Sequence, residues 1–407
     1  AGSLFAPVTY PSPTLVMRFA AFFLALVAAA HCSVTCKDDN GNSVDWYAAI
    51  KFPDGLSYTV LTDGSGTFQD ASSTLDSGGA LYNTVNQVFN GDASSYVLYN
   101  DQTPDGKQHS TFGHSKGVMG FSGSSGFYLI HSVPHWPSAV DNGYSVASSA
   151  HDNGQSFLCI TMDADNINKV AQNWQYTRPK IYSSALGDSQ LSDVQNIISG
   201  TYIHDSAQNM LPVSSKGGMS FDYFAKTQKW HKDIYENFIA TTYETDLKSE
   251  TWQNGVGKIA SSCTSDGFAY NTMDVSGISL SGQTWPETKD HSKWCITSGS
   301  SPNRVCIGDI NRQYGQEHRS GGMMCFENAA VYSEFDNAIT GTYACGGTPL
   351  ASDMNTGTTT QAENPAPQPW AIGLVVASVV VAAAATVIGI VVVVRRRRAT
   401  EGVEMMP

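Results

Sequence analysis

The chain has 407 residues, room for one large domain or two smaller ones, and only 14% of them are charged, well below the usual quarter or so. Ser, Thr, Gly, Asn and Tyr fill the gap, a composition that suits a β-rich, extracytoplasmic protein. A formal net charge of −13 makes the chain a poor electrostatic partner for a polyanion at neutral pH.

In chain order, the first signal is MRFAAFFLALVAAA, Met17–Ala30. One positive charge, an apolar run and Ala28-x-Ala30 predict a signal peptide cleaved after Ala30. Residues 1–16 are then expected to lie upstream of the natural start and outside the fold. The working domain is expected over 31–346, in halves of about 36–195 and 196–346. Strand patterns recur at SSYVLYND (94–101), GFYLIHSVP (126–134), QSFLCITM (155–162) and RVCIGDI (304–310). Helix-like stretches break them at Ala80–Phe89, 191–200 and 230–244. This mixture predicts an α/β or α+β domain.

Residues 347–369 are rich in Thr, Pro and Ala and predict an extended stalk. A membrane span is expected over 370–394. Its apolar run, Ala371–Val394, would reach about 36 Å as a helix, enough to cross the hydrocarbon core. Arg395–Arg398 then place the tail, 395–407, in the cytoplasm. The expected product enters the secretory pathway as a single-pass type I membrane protein. Its domain would face the lumen of a lysosome or endosome, or the cell exterior.

Eight cysteines, at 32, 36, 159, 263, 295, 306, 325 and 345, follow the signal peptide and predict disulfides. No Cys or His cluster has zinc spacing, so neither a metal site nor a cofactor is expected. Between 31 and 369 stand 18 Lys and Arg against 34 Asp and Glu, a net of −16. All ten histidines lie there too, so below about pH 5.5 the balance rises towards about −6. An anionic partner would be met more easily in an acidic compartment.

The tripeptide His-Ser-Lys occurs twice, at His114–Lys116 and His291–Lys293. Thirteen residues after each histidine begins an apolar, strand-like run, 127–132 and 304–309. On a strand, positions i and i+2 share a face, so His and Lys would project together. An imidazole can attack phosphorus or move a proton, and an ammonium can neutralise non-bridging oxygens. Two such pairs facing one another would form one phosphodiester-cleaving site without metal. The competing reading is a solvated loop at each copy.

The chain resembles the deoxyribonuclease II family, acid DNases within the phospholipase D superfamily. The resemblance rests on SVDWYAAIKFP (43–53), LYNDQ (98–102), GHSKGV (113–118), LIHSVP (129–134), FAK (224–226), TKDHSKWC (288–295), CIGDINR (306–312) and GGMMC (321–325). It implies two phospholipase D-like α/β halves, each a mixed sheet flanked by helices, related by a pseudo-twofold. It implies a metal-independent endonuclease that acts on DNA at acid pH and leaves 3′-phosphate and 5′-hydroxyl ends. His114, Lys116, His291 and Lys293 would be catalytic. The superfamily motif continues with an Asp and then GSxN. Here Phe121 and Ser298 stand at the Asp positions, and Gly308-Asp309-Ile310-Asn311 stands in place of GSxN. Asp309 and Asn311, with His131 and Ser132 at the equivalent place in the first half, are candidates for orienting a histidine or binding phosphate. An ordinary buried polar role is the alternative for all four.

The resemblance also implies disulfides Cys36–Cys159, Cys263–Cys345 and Cys306–Cys325, with Cys295 reduced and Cys32 unassigned. His135 and His231 are expected at the surface. Two further readings compete with the acid DNase. One is a lipid phosphodiesterase, disfavoured by the missing Asp and by the DHSKWC–GDINR pair. The other is an inactive membrane-held nucleic-acid receptor, disfavoured because both HxK motifs are intact.

Overall fold

The computed structural model of the protein describes residue 2 and residues 33–254, 257–299 and 302–345. The expected signal peptide, stalk, span and tail, and Cys32, lie outside these residues. Among the described residues no helix is long and apolar enough to cross a membrane.

The domain is a mixed α/β structure built on two large sheets. A short ribbon, β1 (Cys36–Lys37) and β2 (Ser43–Val44), precedes them. The first sheet contains β3 (Trp46–Lys51), β4 (Tyr58–Thr62), β5 (Gln69–Asp70), β6 (Ser95–Asn100), β7 (Lys116–Ser122), β8 (Ser125–His131), β9 (Gln155–Asp163) and β10 (Ile181–Ala185). Its order is β10-β6-β7-β8-β9-β3-β4-β5, antiparallel throughout.

The second sheet contains β11 (Gln208–Ser214), β12 (Ser220–Lys226), β13 (Asp246–Glu250), β14 (Thr272–Leu280), β15 (Gln283–Pro286), β16 (Trp294–Ser298), β17 (Arg304–Gly308), β18 (Gly321–Glu327) and β19 (Ile339–Thr342). It runs β11-β12-β18-β17-β16-β13-β14-β15, with β19 against β14. The one parallel pair among its described strands is β13 with β14. The central run β3-β9-β8-β7-β6 of one sheet and β12-β18-β17-β16-β13 of the other have the same order. Each HSK precedes the fourth strand of its run, β7 or β16.

Period-two patterning explains how the sheets stack. In β9, Leu158, Ile160 and Met162 face the core between the sheets, while Phe157 and Cys159 face the outer layer under helix Gly79–Phe89. In β16 and β17, Trp294, Ile296, Val305 and Ile307 face the shared core, while Cys295 and Cys306 face a third cluster around Ile234–Ala240. Helix Ala164–Thr177 sits in the shared layer, with Ile167, Val170, Ala171 and Trp174 at 3–4-residue spacing. Asp163 caps its start by accepting the Asn166 N–H at 2.8 Å.

The expected helix over 230–244 begins later, as a π-turn at Tyr235–Ile239 followed by Ala240–Tyr243. Asp233 accepts the N–H groups of Tyr235 and Glu236 and so fixes the start. Disulfides join Cys36 to Cys159, Cys263 to Cys345 and Cys306 to Cys325, the pairings that the resemblance implies. Cys295 is free and buried, and burial pushes its thiol pKa up, away from reactivity. These bonds are expected of a protein folded in an oxidising compartment.

Candidate active site

Both HxK motifs lie at strand entries. Lys116 is the first residue of β7 and Lys293 immediately precedes β16, so both histidines sit in approach loops. The expectation that His and Lys project together from a strand face is corrected here. Backbone bonds to the other sheet hold the loops. The His114 N–H donates to Ser320 O at 2.9 Å and the His291 N–H to Gly154 O at 2.8 Å. Ser320 and Gly154 are the residues just ahead of β18 and β9, matching places in the two sheets. Gly113 must be small, because a Cβ there would run into the Thr177 carbonyl.

The imidazoles are held by the same exchange. The Nδ1 of His114 donates to the carbonyl of Asp309, directly after β17. The Nδ1 of His291 donates to the carbonyl of Ser132, directly after β8, at 3.0 Å, with Gln155 Oε1 at 3.2 Å. A carbonyl oxygen can only accept, so each Nδ1 carries a proton and each neutral ring keeps its lone pair on Nε2. Among the described residues neither Nε2 has a hydrogen-bond partner.

The lysines are more deeply buried than a solvated-loop reading allows, both at 0% exposure. Lys116 Nζ lies 2.6 Å from Asp101 Oδ1, and Arg319 Nη2 lies 3.1 Å from Asp101 Oδ2. Lys293 donates its backbone N–H to Ser156 Oγ at 3.0 Å and its Nζ to the His291 carbonyl. Burial, then Lys116, hold the His114 pKa well below the usual imidazole range. Burial, then Lys293, Lys116 and His114, do the same to His291, so the four groups lie within electrostatic reach of one another. Lys293 is lowered by burial and by Lys116.

Of the four candidate supports, two touch the histidines. Asp309 offers its carbonyl to His114, while its carboxylate accepts from the N–H groups of Lys116 at 3.4 Å and Gly322 at 3.2 Å. Ser132 holds His291 by its carbonyl, and its hydroxyl donates to Gln155 Oε1 at 2.6 Å. His131 instead packs into the outer core against Trp136 and Phe157, its Nδ1 accepting the Val133 N–H. Asn311 donates its backbone N–H to Gln316 Oε1. Neither is hydrogen-bonded to an HxK side chain.

His135, expected at the surface, is half-buried, because a left-handed turn (φ 59°) folds its ring onto the Thr103 carbonyl at 2.8 Å. His231 is exposed and lies against His318. Asp101, Gln155 and Arg319 were not among the expected site residues, although Asp101 stands within the LYNDQ stretch.

The family model described as Deoxyribonuclease II matches residues 35–345. The chain belongs to that family. It is similar to Plancitoxin-1 of Acanthaster planci, at 34% identity over 81% of this chain and 98% of that protein. It is also similar to Deoxyribonuclease-2-alpha of Sus scrofa, at 32% identity over 74% and 88%. A third relative, Deoxyribonuclease-2 of Caenorhabditis elegans, shares 31% over 80% and 96%. The enzyme is a deoxyribonuclease II-type endonuclease.

In this endonuclease, burial pushes the Asp309 carboxyl up to about 7, against the pull of Gly322 N–H and Lys116. The folded state therefore keeps a proton that the unfolded chain has lost. That contribution to stability is complete below about pH 4 and declines as pH rises to about 7, by about 4 kcal/mol. Asp309→Asn abolishes the titration. The unfolding free energy of wild type minus variant, from urea denaturation, should fall by a few kcal/mol between pH 4 and pH 7.5. A difference flat in pH would contradict a neutral buried carboxyl.

Proposed function

We propose that the protein hydrolyses DNA at acid pH without a metal, His114 attacking phosphorus and His291 protonating the leaving 5′-oxygen. The reciprocal anchoring of the two imidazoles carries this reading. Each HxK histidine is fixed by a carbonyl that follows the equivalent strand of the other sheet, so the two rings form one site across a pseudo-twofold between phospholipase D-like halves. Attack by Nε2 of His114 forms an N–P bond and breaks the P–O5′ bond, and His291 supplies the proton to the departing oxygen. Water then attacks the phosphohistidine, with His291 accepting its proton, and a 3′-phosphate is released. Lys116 and Lys293 stabilise the charge that builds on the non-bridging oxygens.

The same geometry accounts for an acid optimum. Burial and the lysines lower both imidazole pKa values, so the protonated form of the acid histidine becomes scarce as pH rises. Purified protein should nick plasmid at about pH 5 in EDTA and hardly at pH 7.5, leaving ends that require phosphatase before 3′ extension. Strict dependence on Mg²⁺ or Ca²⁺ would contradict the reading.

The apolar run Ala371–Val394 followed by four arginines supports a membrane tether in an endolysosomal or surface membrane. Protease added to sealed microsomes should then trim only the tail, and loss of the whole domain would reverse that orientation.

A further inference from the structure

A cavity of about 640 Å³ opens beside the 103–109 loop, and none of the four HxK residues lines it. Its walls come from the 103–109 loop, the 135–147 segment and the start of β10. The volume lies in the range that holds a small ligand.

On a chain with a large acidic excess, this cavity is lined by Lys107, Lys180, His109 and His135, with the Tyr182 side chain at its wall. Asp105, the one carboxylate there, is satisfied internally, by Lys107 Nζ at 2.5 Å and Thr103 Oγ1 at 2.5 Å. His109 Nε2 lies 3.1 Å from the same Thr103 hydroxyl. His135 is held in the left-handed region, uncommon for a residue with a side chain, by its backbone bond to Gln102 O at 2.9 Å. Its Nδ1 donates to Thr103 O, which leaves Nε2 as the remaining polar atom of the ring. The Tyr182 hydroxyl is already committed to Pro137 O at 2.6 Å.

The loop hangs from the catalytic machinery. Asp101, the partner of Lys116, also accepts the His109 N–H on its carbonyl at 2.7 Å, and Arg319 bridges the Asp101 carboxylate to the Phe112 carbonyl.

We propose that this cavity holds one nucleotide unit of the DNA strand beyond the scissile bond, its phosphate lying between Lys107, Lys180 and His135. The proposal rests on the nuclease reading above and adds a strand-binding subsite to it. Lys107 and Lys180, less the charge of Asp105, leave one net positive charge to meet the phosphate, and His135 lines the same wall.

The test is equilibrium binding of a fluorescein-labelled single-stranded 12-mer at pH 5 in EDTA, using His114→Ala protein so that the probe is not consumed. Adding Lys107→Ala and Lys180→Ala should weaken Kd about tenfold and lower the slope of log K against log salt by roughly one to two. Placed in otherwise wild-type enzyme, the same two changes should leave hydrolysis of bis(p-nitrophenyl) phosphate unchanged. Unchanged Kd and salt slope would overturn the proposal. So would displacement of the 12-mer by an equal concentration of inorganic phosphate, which would assign the cavity to a free anion. Failure of wild-type protein to cleave DNA would count against the nuclease mechanism alone, since the binding arm needs no turnover.

Discussion

His114→Ala and His291→Ala should each lower plasmid cleavage at pH 5 by about a thousandfold or more, and the double variant should lie within about tenfold of either. In an in-line displacement both rings act in one step, so removing the second from an enzyme that has lost the first costs little more. The loss should appear in kcat, with KM little changed, since the proposed roles of both rings are exerted in the transition state. Lys116→Ala and Lys293→Ala should be milder in chemistry and also weaken DNA binding, because in the proposed mechanism each removes a cation that meets phosphate. Initial rates on supercoiled plasmid in EDTA measure all of this. Near-normal rates in either histidine variant would reduce HSK to a structural loop motif.

Asp101→Ala should destabilise the folded protein by about 3–5 kcal/mol, the usual consequence of leaving a buried cation without its partner. The carboxylate is fully buried and receives both Lys116, at 2.6 Å, and Arg319, at 3.1 Å. Burial alone would raise its pKa, but Lys116, His114 and Arg319 together hold it well below the usual carboxylate range. With a depressed folded pKa, its contribution is present above the unfolded value near 4 and is lost only as pH falls through the lower folded value. The ion pair therefore survives at pH 5, where the enzyme would work. Urea denaturation at pH 5 and at pH 7 should show nearly the same loss at both. A loss under about 1 kcal/mol would mean that Lys116 finds another partner.

The four polar groups of the candidate site are more legible in the sequence than the residues that hold them. The HSK repeat and the family resemblance point directly to His114, Lys116, His291 and Lys293, because short polar motifs keep their spacing on the chain. Strands β6, β8, β9 and β17 are also readable, since each is an apolar run bounded by turn residues. Helix Ala164–Thr177 is hard to read in the sequence because Asp, Asn, Gln and Lys crowd it, although Ile167, Val170, Ala171 and Trp174 form a helical stripe. Asp101, Gln155 and Arg319 escaped for another reason. Their partners lie 15, 136 and 218 residues away, and only the strand order brings them together. The anchoring carbonyls of Ser132 and Asp309 carry no side-chain signature at all. His131 and Asn311 show the converse, since a polar residue beside a motif need not hydrogen-bond to its side chains.

The division of labour between the histidines is tested most directly by replacing the leaving group. Nitrophenolate departs without a proton, so a nitrophenyl phosphodiester bypasses the acid and still requires the nucleophile. At pH 5 in EDTA, His291→Ala should hydrolyse this substrate at a rate within about tenfold of wild type, while His114→Ala should remain inactive, down by about a thousandfold. Rescue of His114→Ala in place of His291→Ala would exchange the two roles and keep the paired site. Equal loss in both variants on this substrate would contradict a division into nucleophile and acid.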